Sequence, residues 1–152
     1  MKLRVLIVDD ERIARQRLRS LLEKEKDVEV AGECRDGRSV VSAVKERRPD
    51  LVLLDIKMTD MNGFDVVQAL EGRDQPAIVF VTAFDKHAVH AFETCALDYL
   101  LKPVAAARLA KTLARARHHL RLARSTSSPP ACTQLRSSLQ RSLRIPHHIY
   151  RA

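Results

Sequence analysis

No apolar stretch of this 152-residue chain approaches the roughly 18 residues that a membrane span needs. The cysteines, Cys34, Cys95 and Cys132, are an odd and dispersed set, which argues against a disulfide framework and fits reduced thiols. Tryptophan is absent and aromatic residues make up only 4% of the chain. No aromatic-interleaved basic platform therefore exists on which nucleobases would stack. His87, His90, His118, His119, His147 and His148 show no metal-ligand spacing and read as solvent-facing. The first residues lead straight into an apolar run, which leaves no room for a signal peptide, so a cytoplasmic location is expected.

Acidic residues are missing from one end only. Residues 1–103 hold 17 Lys/Arg and 19 Asp/Glu, net −2, whereas residues 104–152 hold 10 Lys/Arg and no acid, net +10. The basic character belongs to the end of the chain. It reads either as a solvated face of the last helix or as attraction to an acidic partner or nucleic acid.

What the chain does have is a set of apolar runs that end in charge. Val5-Leu6-Ile7-Val8 stops at Asp9-Asp10, Leu51-Val52-Leu53-Leu54 stops at Asp55, and Asp98-Tyr99-Leu100-Leu101 stops at Lys102-Pro103. If these runs are adjacent parallel strands, the charges meet at one sheet edge. Two carboxylates roughly 5 Å apart repel by about 3 kcal/mol at an effective dielectric near 20, so a cation must sit among them. Carboxylates completed by water and phosphate oxygens suit magnesium better than zinc or an all-protein calcium cage. Lys102 adds a second positive charge, able to pair with a phosphoryl oxygen.

The order of elements supports that geometry. Strands are expected at Leu3 to Val8, Val28 to Ala31 and onward through Gly32 and Glu33, Leu51 to Leu54, Ala77 to Val81, and Leu97 to Leu101. Helices are expected near Glu11 to Glu25, with Ile13, Leu18, Leu21 and Leu22 on the apolar face, and at Ser39 to Arg48, Gly63 to Leu70, Lys86 to Thr94 and Val104 to Leu122. In the last of these, Leu109, Leu113, Ala116 and Leu120 form one stripe, with Arg108, Lys111, Arg115 and Arg117 around it. Five βα units imply a parallel sheet covered on both faces, whose ligands bind beyond the carboxyl ends of the strands.

VLIVDDE, LLDIKMTDMNG, the VTAF stretch and DYLLKP, in this order and spacing, resemble the receiver domain of bacterial two-component response regulators. The resemblance covers about residues 1 to 123, and HAVHAFETCALDYLLKPV is most similar to the LytTR class, in which a receiver precedes a DNA-binding domain. It implies a flavodoxin-like (βα)5 fold with strand order 2-1-3-4-5, and a phosphoryl group received on Asp55 from a histidine kinase or a histidine phosphotransfer protein. Asp10, Asp55 and the backbone carbonyl of Lys57 would hold Mg2+, and Asp9 would orient a metal-bound water. Thr82 and Lys102 would bind the phosphoryl oxygens, Tyr99 would act as an aromatic switch, and Lys102-Pro103 would be cis. Beyond its own phosphorylation and dephosphorylation, such a protein is not an enzyme. The resemblance further implies a phosphorylation-dependent homodimer through the Lys86–Thr94, Leu97–Leu101 and Val104–Leu122 elements; complementary charges such as Asp98 with Arg115 or Arg117 are expected to register the two copies.

Two positions depart from the family pattern: Thr59 stands where proline is frequent, and Cys95 where glycine commonly caps a helix. A dehalogenase-like phosphatase would place a second aspartate two residues after the nucleophile, where this chain has Lys57. Ser125 to Pro130 reads as a linker. Residues 124–152 are expected to be a basic linker or truncated tail, disordered or partly helical, and too short for a LytTR output domain. The chain is thus expected to be a fragment, a truncated product or a stand-alone receiver whose tail binds nucleic acid without sequence preference; DNA recognition would need a further domain.

Overall fold

Alternation of apolar side chains on both faces is what makes the central strands run without a polar break. In the computed structural model, which describes residues 2–70, 72, 75–83 and 96–125, β1 (Leu3–Val8) sends Leu3, Val5 and Ile7 to one face and Leu6 and Val8 to the other. β3 (Leu51–Leu54) and β4 (Ala77–Thr82) divide in the same way. With β2 (Val28–Cys34) and β5 (Asp98–Leu101) they form a five-stranded parallel sheet of order β2-β1-β3-β4-β5. This is the flavodoxin-like arrangement.

Helices α1 (Arg12–Glu23) and α4 (Ala106–Ser125) cover one face, through Leu18 and Leu22 from α1 and Leu109, Leu113 and Ala116 from α4. Helices α2 (Arg38–Arg47) and α3 (Gly63–Ala69) cover the other through Val40, Val66 and Val67. Removing side chains of this kind from water contributes roughly 1.5–3 kcal/mol each, so both clusters hold the sheet. The expected stripe on the last helix is present, with Leu120 half-buried at its end.

One expected core residue is not in the core: Ile13 is 79% exposed. At about 100° per residue, Ile13 lies about 140° around the helix from Leu18, whereas Ala14, Leu21 and Leu22 lie near Leu18's side. The packed face begins at Ala14. The expected helix at Lys86 to Thr94, together with Cys95, residues 126–130 of the expected linker and most of the basic tail, lies outside the described residues; Ser125, expected to open the linker, ends the last helix. The last helix runs past residue 123 to Ser125.

Candidate functional site

Strand register brings the charged ends together. Val8 pairs with Leu54, Leu54 with Phe80 and Thr82 with Leu101, so the residues that follow emerge side by side. Backbone bonds extend this past the strands: Asp55 N donates to the Val8 carbonyl at 2.9 Å, and Lys102 N to the Thr82 carbonyl at 2.8 Å. Lys102-Pro103 is cis.

Asp9, Asp10 and Asp55 each offer a carboxylate oxygen to one cluster whose atoms lie within 4.8 Å of one another. Asp9 and Asp55 are buried and Asp10 half-buried. Lys102 Nζ reaches between them, 2.6 Å from Asp9 Oδ2 and 3.5 Å from Asp55 Oδ2. Thr82 is buried at the end of β4, and Tyr99 is half-buried against the α2–α3 side of the core. Lys57 is exposed, and its backbone N–H bonds to the Asp55 carboxylate.

The charges do not balance, since three carboxylates face one ammonium. Burial, then the Asp9 charge, push the Asp55 carboxyl up to about 7 in spite of Lys102. Asp10 is likewise raised, by burial and then by Asp9. Burial opposes the charge of Lys102, but the Asp9 and Asp55 carboxylates outweigh it and hold the ammonium above its ordinary range. Asp9 Oδ2 is buried and spends its one close contact on Lys102, 2.6 Å away. A clustered set of hard oxygen donors and a shortage of positive charge together fit a divalent cation of the magnesium type.

Three supporting features were not anticipated from sequence. Arg15 Nη1 donates to the Asp9 carbonyl at 2.7 Å, fixing the loop after β1. Gly63 opens α3 so close to the loop after β3 that a Cβ there would lie 2.8 Å from the Asp55 carbonyl oxygen and 3.0 Å from Ile56 Cα. Asn62, with Asp65 in a capping box, was the available signal that a helix starts there. On the edge strand β5, Asp98 accepts from Arg108 at 2.7 and 2.8 Å and from Thr112 Oγ1 at 2.7 Å, tying β5 to α4. Arg117 is held by Asp27 at 2.6 Å. Arg115 also lies 3.6 Å from Asp98, so the charges expected to register two copies are engaged within the chain.

Residues 5–114 match the family described as response regulator receiver domain. Among curated relatives, the transcriptional regulatory protein BtsR of Escherichia coli is 50% identical over 115 residues, which cover 76% of this chain and 48% of BtsR. The sensory transduction protein LytT of Bacillus cereus is 46% identical over 112 residues, which cover 73% of this chain and 46% of LytT. The chain spans about half the length of these curated relatives. Among solved structures, the response regulatory domain of mrkE from Klebsiella pneumoniae matches with a TM-score of 0.70 at 34% identity, covering 76% of this chain and 95% of that domain. The sheet order, the acidic pocket at its carboxyl edge and a family match across most of the sequence agree, and the chain belongs to the receiver domains of two-component response regulators.

Proposed function

We propose that Asp55 is the phosphoacceptor and that this receiver takes its phosphoryl group from a histidine kinase or a histidine phosphotransfer protein. The observation that carries the reading is the deficit of positive charge around Asp55, a carboxylate that burial and Asp9 hold near neutral titration while Lys102 sits within 3.5 Å. An Asp55 oxygen attacks phosphorus, the phosphorus–nitrogen bond to the donor histidine breaks, and the imidazole leaves with the bonding pair. Asp10, Asp55 and the Lys57 carbonyl would hold Mg2+, with Asp9 orienting its water. When bound, the ion neutralises charge between the anionic donor and the nucleophile. Lys102 then exchanges carboxylate contacts for a phosphoryl oxygen, and the Thr82 hydroxyl donates to another.

A docking surface for that partner is part of the same reading. Ile13, Ala14, Leu18, Pro103 and Val104 line an apolar groove of about 270 Å3 that borders Lys102, and a partner seated there would present its histidine from the Lys102 side. Drawing Thr82 toward the phosphoryl group would free room for Tyr99 to turn inward, shifting an equilibrium between two states a few kcal/mol apart. Self-association through β5 and α4 is the output we assign. Residues 1–123 serve as the receiver and residues 124–152 as a basic tail.

The division of roles is tested by magnesium titration. Asp10→Asn should weaken magnesium binding and slow phosphorylation, while Lys102→Ala should keep the metal and lose coupling to the switch; equal loss of magnesium affinity in both would contradict it. Sedimentation with and without a beryllofluoride mimic should show a shift toward dimer in wild type and none in Asp55→Ala.

A further inference from the structure

Beside the acidic pocket, along the β2 edge of the sheet, lies a concavity of about 590 Å3 with the opposite charge. Its wall carries Arg12, Arg15 and Arg19 from α1 and Arg35 from the segment after β2. The first three recur at i, i+3 and i+7, a spacing that sets them on one helix face. Glu33 is the one acid on the wall, and it is engaged: its Oε2 accepts from Arg19 at 2.8 and 3.1 Å, and its Oε1 lies 3.8 Å from Arg15 Nε. Asp36, next to Arg35 in sequence, turns its carboxylate to the Ser39 N–H at 2.9 Å. Arg12 and Arg35 are exposed, and among the described residues neither has a hydrogen-bond or ion-pair partner.

Four guanidiniums face one carboxylate on the wall, and Asp36, whose charge reaches Arg35 and Cys34, still leaves a net of two positive charges around one concave space. Such a wall focuses its field into the cleft and attracts anions. Guanidinium forks match phosphate oxygens in pairs, and the volume lies within the roughly 300–1,000 Å3 of small-molecule sites. No described residue of the wall is aromatic, so nothing there stacks on a base or an apolar ring.

We propose that this cleft binds a small phosphate-bearing polyanion, with Arg12 and Arg35 as its free forks and Arg15 and Arg19 behind them. The chemistry recognised is the phosphate chain itself, whether inorganic or carried by a metabolite. Because Arg15 also holds the Asp9 carbonyl, an anion drawn onto Arg15 touches the loop of the acidic pocket through one side chain. Binding does not depend on Asp55 being the phosphoacceptor, so the two readings fail separately.

Calorimetric titration of the full chain with inorganic triphosphate, without divalent cations and at low salt, tests the site. Saturable one-to-one binding is expected, unchanged in Asp55→Asn and weakened at least about tenfold in Arg12→Ser/Arg35→Ser, two exposed positions whose loss leaves the core intact. Lys111→Ser/Arg121→Ser, on exposed positions of α4, should bind within about twofold of wild type. A nucleoside triphosphate should match inorganic triphosphate to within about threefold, since the wall offers no base contact. The site is overturned by absence of saturable binding at millimolar ligand, by undiminished binding in the Arg12/Arg35 variant, or by loss in Asp55→Asn. Equal weakening in the Lys111/Arg121 variant, or binding of the nucleotide but not of inorganic triphosphate, would overturn it as well.

Discussion

Asp55 and Asp98 are side chains of equal exposure, 6% each, one just past the central strand β3 and one on the edge strand β5 of the same parallel sheet, and they titrate in opposite directions. Burial opposes the charge of both. At Asp98 the Arg108 fork, the Thr112 hydroxyl and the Tyr99 N–H overcome it and hold the carboxyl at about 2. At Asp55, Asp9 adds to burial and Lys102 is shared between two carboxylates, so the group stands at about 7. The comparison separates two uses of a buried acid. A carboxylate whose partners are complete holds an element in place, whereas one left short of charge waits for something to arrive.

The largest effect expected from this contrast is on the complete side. Asp98→Ala strands Arg108 and Thr112 and should cost about 2–3 kcal/mol in denaturant unfolding; a loss below about 0.5 kcal/mol would mean the network is ornamental. The folded value lies below the ordinary aspartate value, so the stability from Asp98 is fully present above about pH 4 and lost as pH falls through about 2. Asp98→Asn should therefore flatten that acid limb.

On the incomplete side the sign reverses. Asp55→Asn removes repulsion and should stabilise the metal-free protein on the order of 2 kcal/mol above pH 7. With the folded value above the unfolded one, wild-type stability should fall as pH rises from about 4 through about 7. An unchanged slope in Asp55→Asn would contradict the charge deficit. A smaller cost, about 1–2 kcal/mol, is expected for Gly63→Ala, because the added Cβ meets backbone at Asp55 and Ile56; slower phosphorylation should accompany it. The smallest effect belongs to Ile13→Ser, within about 0.5 kcal/mol on stability, with weakened transfer from a histidine donor. A loss of several kcal/mol there would return Ile13 to the core.

The contrast also marks what the sequence could reveal. Strands buried on both faces announce themselves as unbroken apolar runs, and a charge that ends such a run has one place to go. That is why Asp9, Asp55 and Lys102 were legible together. Ile13 misled because several phases of a helical face fit a short apolar set, and only packing against β1 and β2, through Leu18 and Leu22, selects the one that leaves Ile13 out. The Asp98–Arg108–Thr112 network, the Arg15 bond to Asp9 and the close approach of Gly63 to Asp55 and Ile56 depend on tertiary proximity that no local pattern encodes. The sharing of Lys102 between two acids, which sets the sign at Asp55, is of the same kind.

The central claim is that the under-compensated carboxylate at Asp55 is where the phosphoryl group lands. Intact-mass analysis of the full chain after incubation with acetyl phosphate and magnesium measures this directly. The account predicts the mass of one added phosphoryl group, dependent on magnesium and absent in Asp55→Asn, whereas equal labelling of wild type and Asp55→Asn would contradict it.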